Sequence, residues 1–431
     1  MQRTIQKPRQ KIAASVIGNA LEWYDFILYG FLSAIIARQF FPLENDYLSL
    51  LASLATFGVG FFMRPLGGVV IGMYADRCGR KRALQLIIVL MTLSTAIIVF
   101  TPNYESIGLL APVMILVARL MQGFATGGEY ASSTAFLVED APPAHKTLFG
   151  SWQLFGQCLA VAAASAIASL VTTSFSPEDL NSWAWRLPFA LGLLICPVGF
   201  WIRYSLNETD EFSNAQSQRE AIPLTQVVAD YKKQILTTIG LITIGTVAFY
   251  VVLVNMPNYA SRQLGLPITN VFNIQLLAVT MMTICVPLFG MLGDRIGRKR
   301  VLVVCNTLFL LMIYPLYAWV AESPSLERLL VMQLLLCLAI AGGFGATPTT
   351  LVSLFPTRVR TTAMSIGYNL AVMIFGGFAS FIVTWLSATT GSTVAPAFYL
   401  IGASIIGLAA TLALPNDEPC GVAISAAEPA N

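Results

Sequence analysis

The eleven residues GMYADRCGRKR, Gly72 to Arg82, return almost unchanged as GMLGDRIGRKR, Gly290 to Arg300, with eight positions identical. Each copy stands between long apolar stretches, so the chain reads as one membrane unit written twice, and its fold must have two similar halves. Composition fixes the solvent of those halves. With 56% hydrophobic and 11% charged residues in a chain of 431, polar groups cannot cover a water-exposed surface, which leaves the lipid bilayer.

A helix needs about 20 apolar residues to cross a bilayer. Twelve stretches qualify, near 12–40, 48–74, 83–102, 107–138, 147–173, 184–204, 233–261, 270–293, 301–321, 327–353, 360–388 and 394–414. The first holds Glu22 and Asp25 and lacks the apolar core and cleavage site of a removable signal peptide. Nineteen lysines and arginines fall in one set of alternate loops, against only Arg38, Arg186, Arg262 and Arg328 in the other. That bias places both termini and both motif copies in the cytoplasm.

The longest polar stretch begins NETDEFSNAQSQRE at Asn207. It divides the chain into a six-helix bundle (1–206), a cytoplasmic linker (207–232), a second six-helix bundle (233–414) and a cytoplasmic tail (415–431). Each motif copy follows the second span of its half in the same orientation. The halves are therefore parallel repeats about a pseudo-two-fold axis along the membrane normal, an arrangement common among carriers. The expected fold class is an all-α membrane protein with twelve transmembrane helices in two bundles.

The motif G-x-x-x-D-R-x-G-R-K-R resembles the loop motif of the major facilitator superfamily. Five further segments resemble its metabolite:proton symporter family: GNALEWYDFILYG (Gly18 to Gly30), MRPLGG (Met63 to Gly68), RLMQGFATGGEY (Arg119 to Tyr130), WAWRLPFALG (Trp183 to Gly192) and FPTRVRTTAMSIGYN (Phe355 to Asn369). The resemblance covers nearly the whole chain. It implies transport by alternating access of α-ketoglutarate, citrate-type acids, shikimate, or zwitterions such as proline and betaine. In the superfamily's fourth-span pattern, which RLMQG resembles, the arginine is implicated in proton coupling. The osmosensing branch often ends in a long coiled coil, whereas the tail from Pro415 to Asn431 is short and without heptads.

Within the motif, Gly79 and Gly297 suit a sharp turn in a loop of about eight residues, because glycine adopts positive backbone dihedrals without strain. Asp76 and Asp294 close the preceding helices, where an acid can reach the positive N-terminal end of a helix in the other half. The expected partners are the start of the eleventh span (Arg358 to Thr362) for Asp76 and of the fifth (Lys146 to Leu148) for Asp294. Gly72, Asp76, Arg77, Gly79 and Arg80, with Gly290, Asp294, Arg295, Gly297 and Arg298, are the candidate gating residues. The basic residues also serve as topology determinants facing anionic lipid.

Charges inside spans are the functional candidates, since each costs several kcal/mol unless paired or facing a water-filled cavity. Asn19, Glu22, Asp25 and Tyr29 share one face of the first helix, and Arg119, Gln122, Thr126, Glu129 and Ser133 a narrower arc of the fourth. A fixed cation beside a titratable acid is the minimum for coupling a proton to an anion, because arginine keeps its proton while a desolvated carboxylic acid readily gains one. Glu22, Asp25 and Glu129 are the expected proton carriers, with Arg119 as their partner; a structural ion pair between Arg119 and Asp25 or Glu22 is the competing reading. Glu139 and Asp140 read as a solvated helix end.

Substrate contacts are expected from Tyr29, Arg64, Arg119, Gln122, Gln153, Gln157, Tyr250, Asn255, Tyr368 and Asn369, with Pro257 breaking the seventh span and freeing carbonyls. Arg64 reads equally as a residue that holds substrate or an inward gate and as a packing residue. Gly123, Gly127, Gly128, Gly342, Gly343, Gly345, Gly376 and Gly377 permit close helix approach or bending. The single histidine, His145, sits in a loop without a nucleophile, the seven cysteines show no metal or disulfide spacing, and a phosphate-binding loop is missing. The expectation is a transporter and not an enzyme, with no cofactor, metal or nucleic-acid partner, working as a monomer in a bacterial inner membrane. Proton symport of a di- or tricarboxylate-type acid leads; uptake of a zwitterionic osmolyte and proton-antiport export of a siderophore or drug are the alternatives.

Overall fold

The computed structural model describes residues 8–78, 80–139, 141–194, 224–356 and 359–415. In lipid each backbone N–H and C=O must find a partner within its own segment, and the described chain is accordingly helix after helix. Nine helices are long and apolar enough to cross alone, and a tenth crossing is Val16–Phe31 with Ser33–Phe40, bent by 67°. The third span is Gln85–Phe100, and the sixth is helical over 186–194. These make the twelve spans of a two-bundle membrane fold. The bundles meet where the fifth span (Lys146–Ser174) lies along the eighth (Ile268–Ile296), and where the C-terminal part of the fourth (Glu129–Glu139) meets the tenth (Leu326–Ser353) and eleventh (Arg360–Ala371).

The expected eight-residue loop between the eighth and ninth spans is a single residue. Asp294 and Arg295 belong to the eighth helix, the ninth begins at Arg298, and Gly297 turns between them at φ 95°. Basic residues are good helix formers, so they extend the ninth helix instead of forming a loop. Glycine alone accepts that backbone without strain.

Three other departures from straight helices are each held by an amide side chain from a distant span, in two of them from the opposite half. The first span kinks at Leu32, where the Gly30 carbonyl accepts from Ser33 Oγ at 2.8 Å and from Asn258 Nδ2 at 3.0 Å. The fourth is not the continuous helix expected: it stops at Thr126 and restarts at Glu129, and the freed Gly127 carbonyl accepts from Asn369 Nδ2 at 2.7 Å. In the seventh the break precedes Pro257 as a π-helical stretch, Phe249–Val254, with Asn255 before a last helix, Met256–Arg262. Proline's clash is with the carbonyl four residues back, so the irregularity falls there and not at the ring itself. The Val252 carbonyl is met by Gln333 Nε2 at 3.2 Å. The eleventh has a similar π-helical turn, Val372–Gly376.

Glycines set the closest approaches. A side chain at Gly67 would run into the Phe124 carbonyl, and one at Gly123 into the Gly60 carbonyl, so the second and fourth spans touch backbone to backbone. In the other half a Cβ at Gly345 would sit 2.7 Å from the Val286 carbonyl oxygen of the eighth span.

Candidate functional site

Among the described residues the buried charged side chains are Glu22, Asp25, Arg64, Arg119 and Glu129, all in the N-terminal half. Arg119 is 0% exposed. Its guanidinium carbon stands 4.1 Å from the Phe26 ring centroid, 4.6 Å from Tyr29 and 4.7 Å from Phe57. Nη1 donates to Gln122 Oε1 at 2.5 Å, while Nε and Nη2 find no acceptor. Arg64, 1% exposed, lies over Phe61 at 4.4 Å, Phe26 at 5.1 Å and Trp23 at 5.2 Å, again with Nε and Nη2 lacking acceptors. One ring, Phe26, is thus shared by two cations.

Magnitudes say what this arrangement lacks. A desolvated cation–π contact contributes about 2 kcal/mol, whereas stripping water from a guanidinium costs several kcal/mol, with more for each donor left unmade. The rings orient the two cations without neutralising them. Among the described residues no carboxylate lies within ion-pair distance of either, so a structural pair between Arg119 and Asp25 is not formed. Asp25 Oδ2 instead accepts from Thr95 Oγ1 of the third span at 2.7 Å, and Oδ1, without a partner, faces Gly192 of the sixth. Glu22 and Glu129 are buried as well.

A cavity of about 50 Å³ lies where the halves meet, walled by Trp23, Tyr130 and Gln157 on one side and by Tyr250, Phe344 and Tyr368 on the other. Tyr130 and Tyr368 stack across the halves with centroids 3.8 Å apart and planes at 5°. The hydroxyls of Tyr250 and Tyr368 both approach the Arg64 guanidinium, which couples the buried cations to the cavity wall.

Several expected ligands are occupied elsewhere. Tyr29 sends its hydroxyl to the Ser53 carbonyl at 3.3 Å and its ring to Arg119, so it is a wall of the arginine pocket and not a cavity contact. Gln122 holds Arg119. Thr126 and Ser133 bond back to their own helix. Asn369 holds the broken fourth span. Gln153 and Asn255 are buried but do not line the cavity, although Gln153 lacks partners on both amide atoms and Asn255 on Oδ1. The aromatic cage of Trp23, Phe26, Phe57 and Phe61 escaped the sequence reading. Its signal is spacing: Trp23 and Phe26 at i, i+3 and Phe57 and Phe61 at i, i+4 face the arginines.

At the end of the bundles that carries the repeated motif, Asp294 caps the fifth helix from the other half, accepting from the Thr147 and Leu148 amides at 2.8 and 3.0 Å. The helix has no side-chain cap of its own, since His145 at its N-cap makes no such bond. A carboxylate there satisfies orphan donors and faces the positive end of the dipole. Arg298 Nη1 donates to the Thr349 carbonyl at 3.2 Å, and Arg360 pairs with Glu139 at 2.5 Å. Glu139 is therefore an inter-bundle contact, not simply a solvated helix end; Asp140 lies outside the described residues. Gly290 and Gly293 let the eighth helix approach Ser151 and Thr147. Arg295 is exposed and outside this cluster. In the first motif copy, Gly79 lies outside the described residues, as do the side chains of Asp76, Arg77 and Arg80, the surroundings of Gly72, and Arg358.

Residues 11–221 match the family described as Sugar (and other) transporter, and residues 271–430 match the Major Facilitator Superfamily. A citrate-proton symporter of Salmonella typhi is 34% identical over 397 residues, 92% of either chain. A proline/betaine transporter of Escherichia coli (strain K12) is 31% identical over 414 residues, 93% of this chain and 82% of that one. The fold matches the xylose transporter XylE from E. coli in a partially occluded inward open conformation, with TM-score 0.76 at 15% identity over 95% of this chain and 98% of that one. With relatives above 30% identity over most of their length and two bundles that share a repeated motif, the chain belongs to the major facilitator superfamily, among its metabolite:proton symporters.

Proposed function

We propose that the chain carries a small organic acid together with protons by alternating access, bundles 1–206 and 233–414 rocking about the central cavity as a monomer in a bacterial inner membrane, both termini cytoplasmic. One observation carries this reading: two buried guanidinium groups share the Phe26 ring, and each keeps Nε and Nη2 without an acceptor. A carboxylate supplies four lone-pair sites in the fork geometry that arginine matches. Asp25 is the proton site, its free oxygen available to a proton while Thr95 holds the other. Glu22 and Glu129 assist on the same half. A zwitterion carrier is the second reading, favoured by the proline/betaine relatives.

Counterflow and gradient-driven uptake of labelled α-ketoglutarate, citrate and betaine in proteoliposomes test the substrate. Asp25→Asn tests the coupling: exchange persists, while accumulation against a gradient falls to the equilibrium level. Accumulation as in the unsubstituted protein removes Asp25 from the proton path.

The Asp294 cap acts as a cytoplasmic clasp in this reading. Asp294→Asn removes the charge but keeps one acceptor, weakening the contact by about 1 kcal/mol, roughly a fivefold shift toward the inward-open form. A cysteine placed at Ser353, which lines the pocket beside the clasp, is then labelled faster by a membrane-impermeant maleimide from the cytoplasmic side. Equal labelling rates with and without Asp294 sink the clasp.

A further inference from the structure

We infer that the substrate bears a single carboxylate and a short apolar arm, and that the arm is seated in the C-terminal wall of the cavity between the seventh, ninth and tenth spans. This rests on the anion-site reading above and names the part of the ligand that the arginines do not touch. The far wall is built from Leu241, Ile244, Phe309, Ile340 and Phe344. Among the described residues the C-terminal half buries no charged side chain at all, so a second carboxylate directed there loses its water without gaining a cation.

The polar groups of that wall do not alter this. Asn306 turns its amide nitrogen to Thr411 Oγ1 at 3.2 Å, leaving toward the cavity an oxygen that repels a carboxylate. Thr246 and Thr347 offer neutral hydroxyls, which do not balance a full charge. Nor do Trp23, Tyr130 and Tyr368 make a box for an ammonium group. Tyr130 and Tyr368 cover one another's faces, and Arg64 already lies over Trp23.

Two glycines mark where the arm goes. A Cβ added at Gly245 would meet nothing nearer than a Phe344 ring carbon at 3.6 Å, and one at Gly343 nothing nearer than Asn306 Oδ1 at 3.6 Å. Both line the cavity. Unlike Gly67 or Gly123, these positions are not needed for helix contact; what their missing side chains leave is room for a ligand. At about 50 Å³, and roughly 10–15 Å³ for each water-sized probe, the space suits a few heavy atoms and no long chain.

The test uses full-length protein in proteoliposomes and three acids with the same head: α-ketoisocaproate, whose arm is branched and apolar; α-ketoglutarate, of similar length with a second carboxylate; and pyruvate, with almost no arm. The expected kcat/KM for α-ketoisocaproate exceeds that for α-ketoglutarate by about tenfold or more. Gly343→Val lowers α-ketoisocaproate uptake about tenfold and pyruvate uptake less than about twofold, and Gly343→Ala gives the same order with smaller steps. Arg64→Gln abolishes uptake of all three. Uptake of α-ketoglutarate or citrate equal to or better than α-ketoisocaproate overturns the apolar arm, as does a Gly343 variant that slows pyruvate as strongly. Acid uptake that ignores Arg64→Gln overturns the anion site itself, and betaine uptake with none of the acids overturns both.

Discussion

Arg119→Gln abolishes accumulation and exchange together, with kcat/KM for the acid reduced by about a hundredfold or more. Removing one partner of a buried charge-assisted contact costs about 2–5 kcal/mol, and each 1.4 kcal/mol is about a factor of ten. Arg119 is fully buried, ringed by Phe26, Tyr29 and Phe57, and tied to one neutral acceptor, Gln122. An arginine kept only for packing behaves otherwise. Glutamine is shorter and neutral, so relief of an unbalanced buried charge would then raise thermal stability and leave uptake largely intact. Arg119→Lys separates charge from shape. It keeps the cation but loses the fork and the flat face, and uptake is expected to survive with a KM about tenfold higher. Uptake and melting temperature measured on the same three proteins decide the matter; near-normal kcat/KM in Arg119→Gln removes the arginine from the site.

The second large effect is on folding. Gly123→Val places a branched side chain against the Gly60 carbonyl and Cα, and Gly67→Val does the same against Phe124. Backbone cannot retreat as a side chain does, so the second and fourth helices must separate. Overpacking costs about 1–3 kcal/mol where side chains can adjust, and more is expected here because the contacts are main chain. Separation also dismantles the arginine pocket, since Arg64 and Arg119 come from these two spans. Little folded protein is expected in detergent by size-exclusion chromatography and thermal melting. Gly402 of the twelfth span is the control. Nothing lies within 4 Å of a Cβ there, and Gly402→Ala is expected to leave the melting temperature unchanged or raise it slightly, helix propensity favouring alanine by up to about 1 kcal/mol. Equal yields of Gly123→Val and Gly402→Ala contradict the backbone contact.

The sequence made the spans legible because a bilayer admits few structures, and apolar length reports them directly. It did not show where the helices bend. The breaks at Leu32, Gly127 and Phe249–Val254 are each stabilised by an amide from a distant span: Asn258, Asn369 and Gln333. A local pattern cannot contain that information. Charges in apolar helices singled out Arg64, Arg119 and Asp25, since lipid tolerates such residues only for cause. The cage around them stayed hidden because Phe26, Phe57 and Phe61 in a membrane helix look like any lipid-facing or core residue. Hydroxyls and amides are less legible for the opposite reason: Tyr29 and Gln122 are polar enough to bind a ligand, and in this structure they meet Ser53 and Arg119. The polar stripe on each helix marked where buried polar groups gather, while the contacts of each residue depended on which neighbour reached it first.

The confinement of buried charge to one half has an electrical consequence. Moving one elementary charge through 100 mV changes its energy by about 2.3 kcal/mol. The described interior of the C-terminal half carries none, so a membrane potential finds no buried charge there to act on. Glu22, Asp25, Arg64, Arg119 and Glu129 ride on the first, second and fourth helices, and among the described buried residues these five are the charges on which a membrane potential can act. In the described interior the N-terminal bundle holds the charge that a voltage can act upon, and its partner presents an electrically neutral wall.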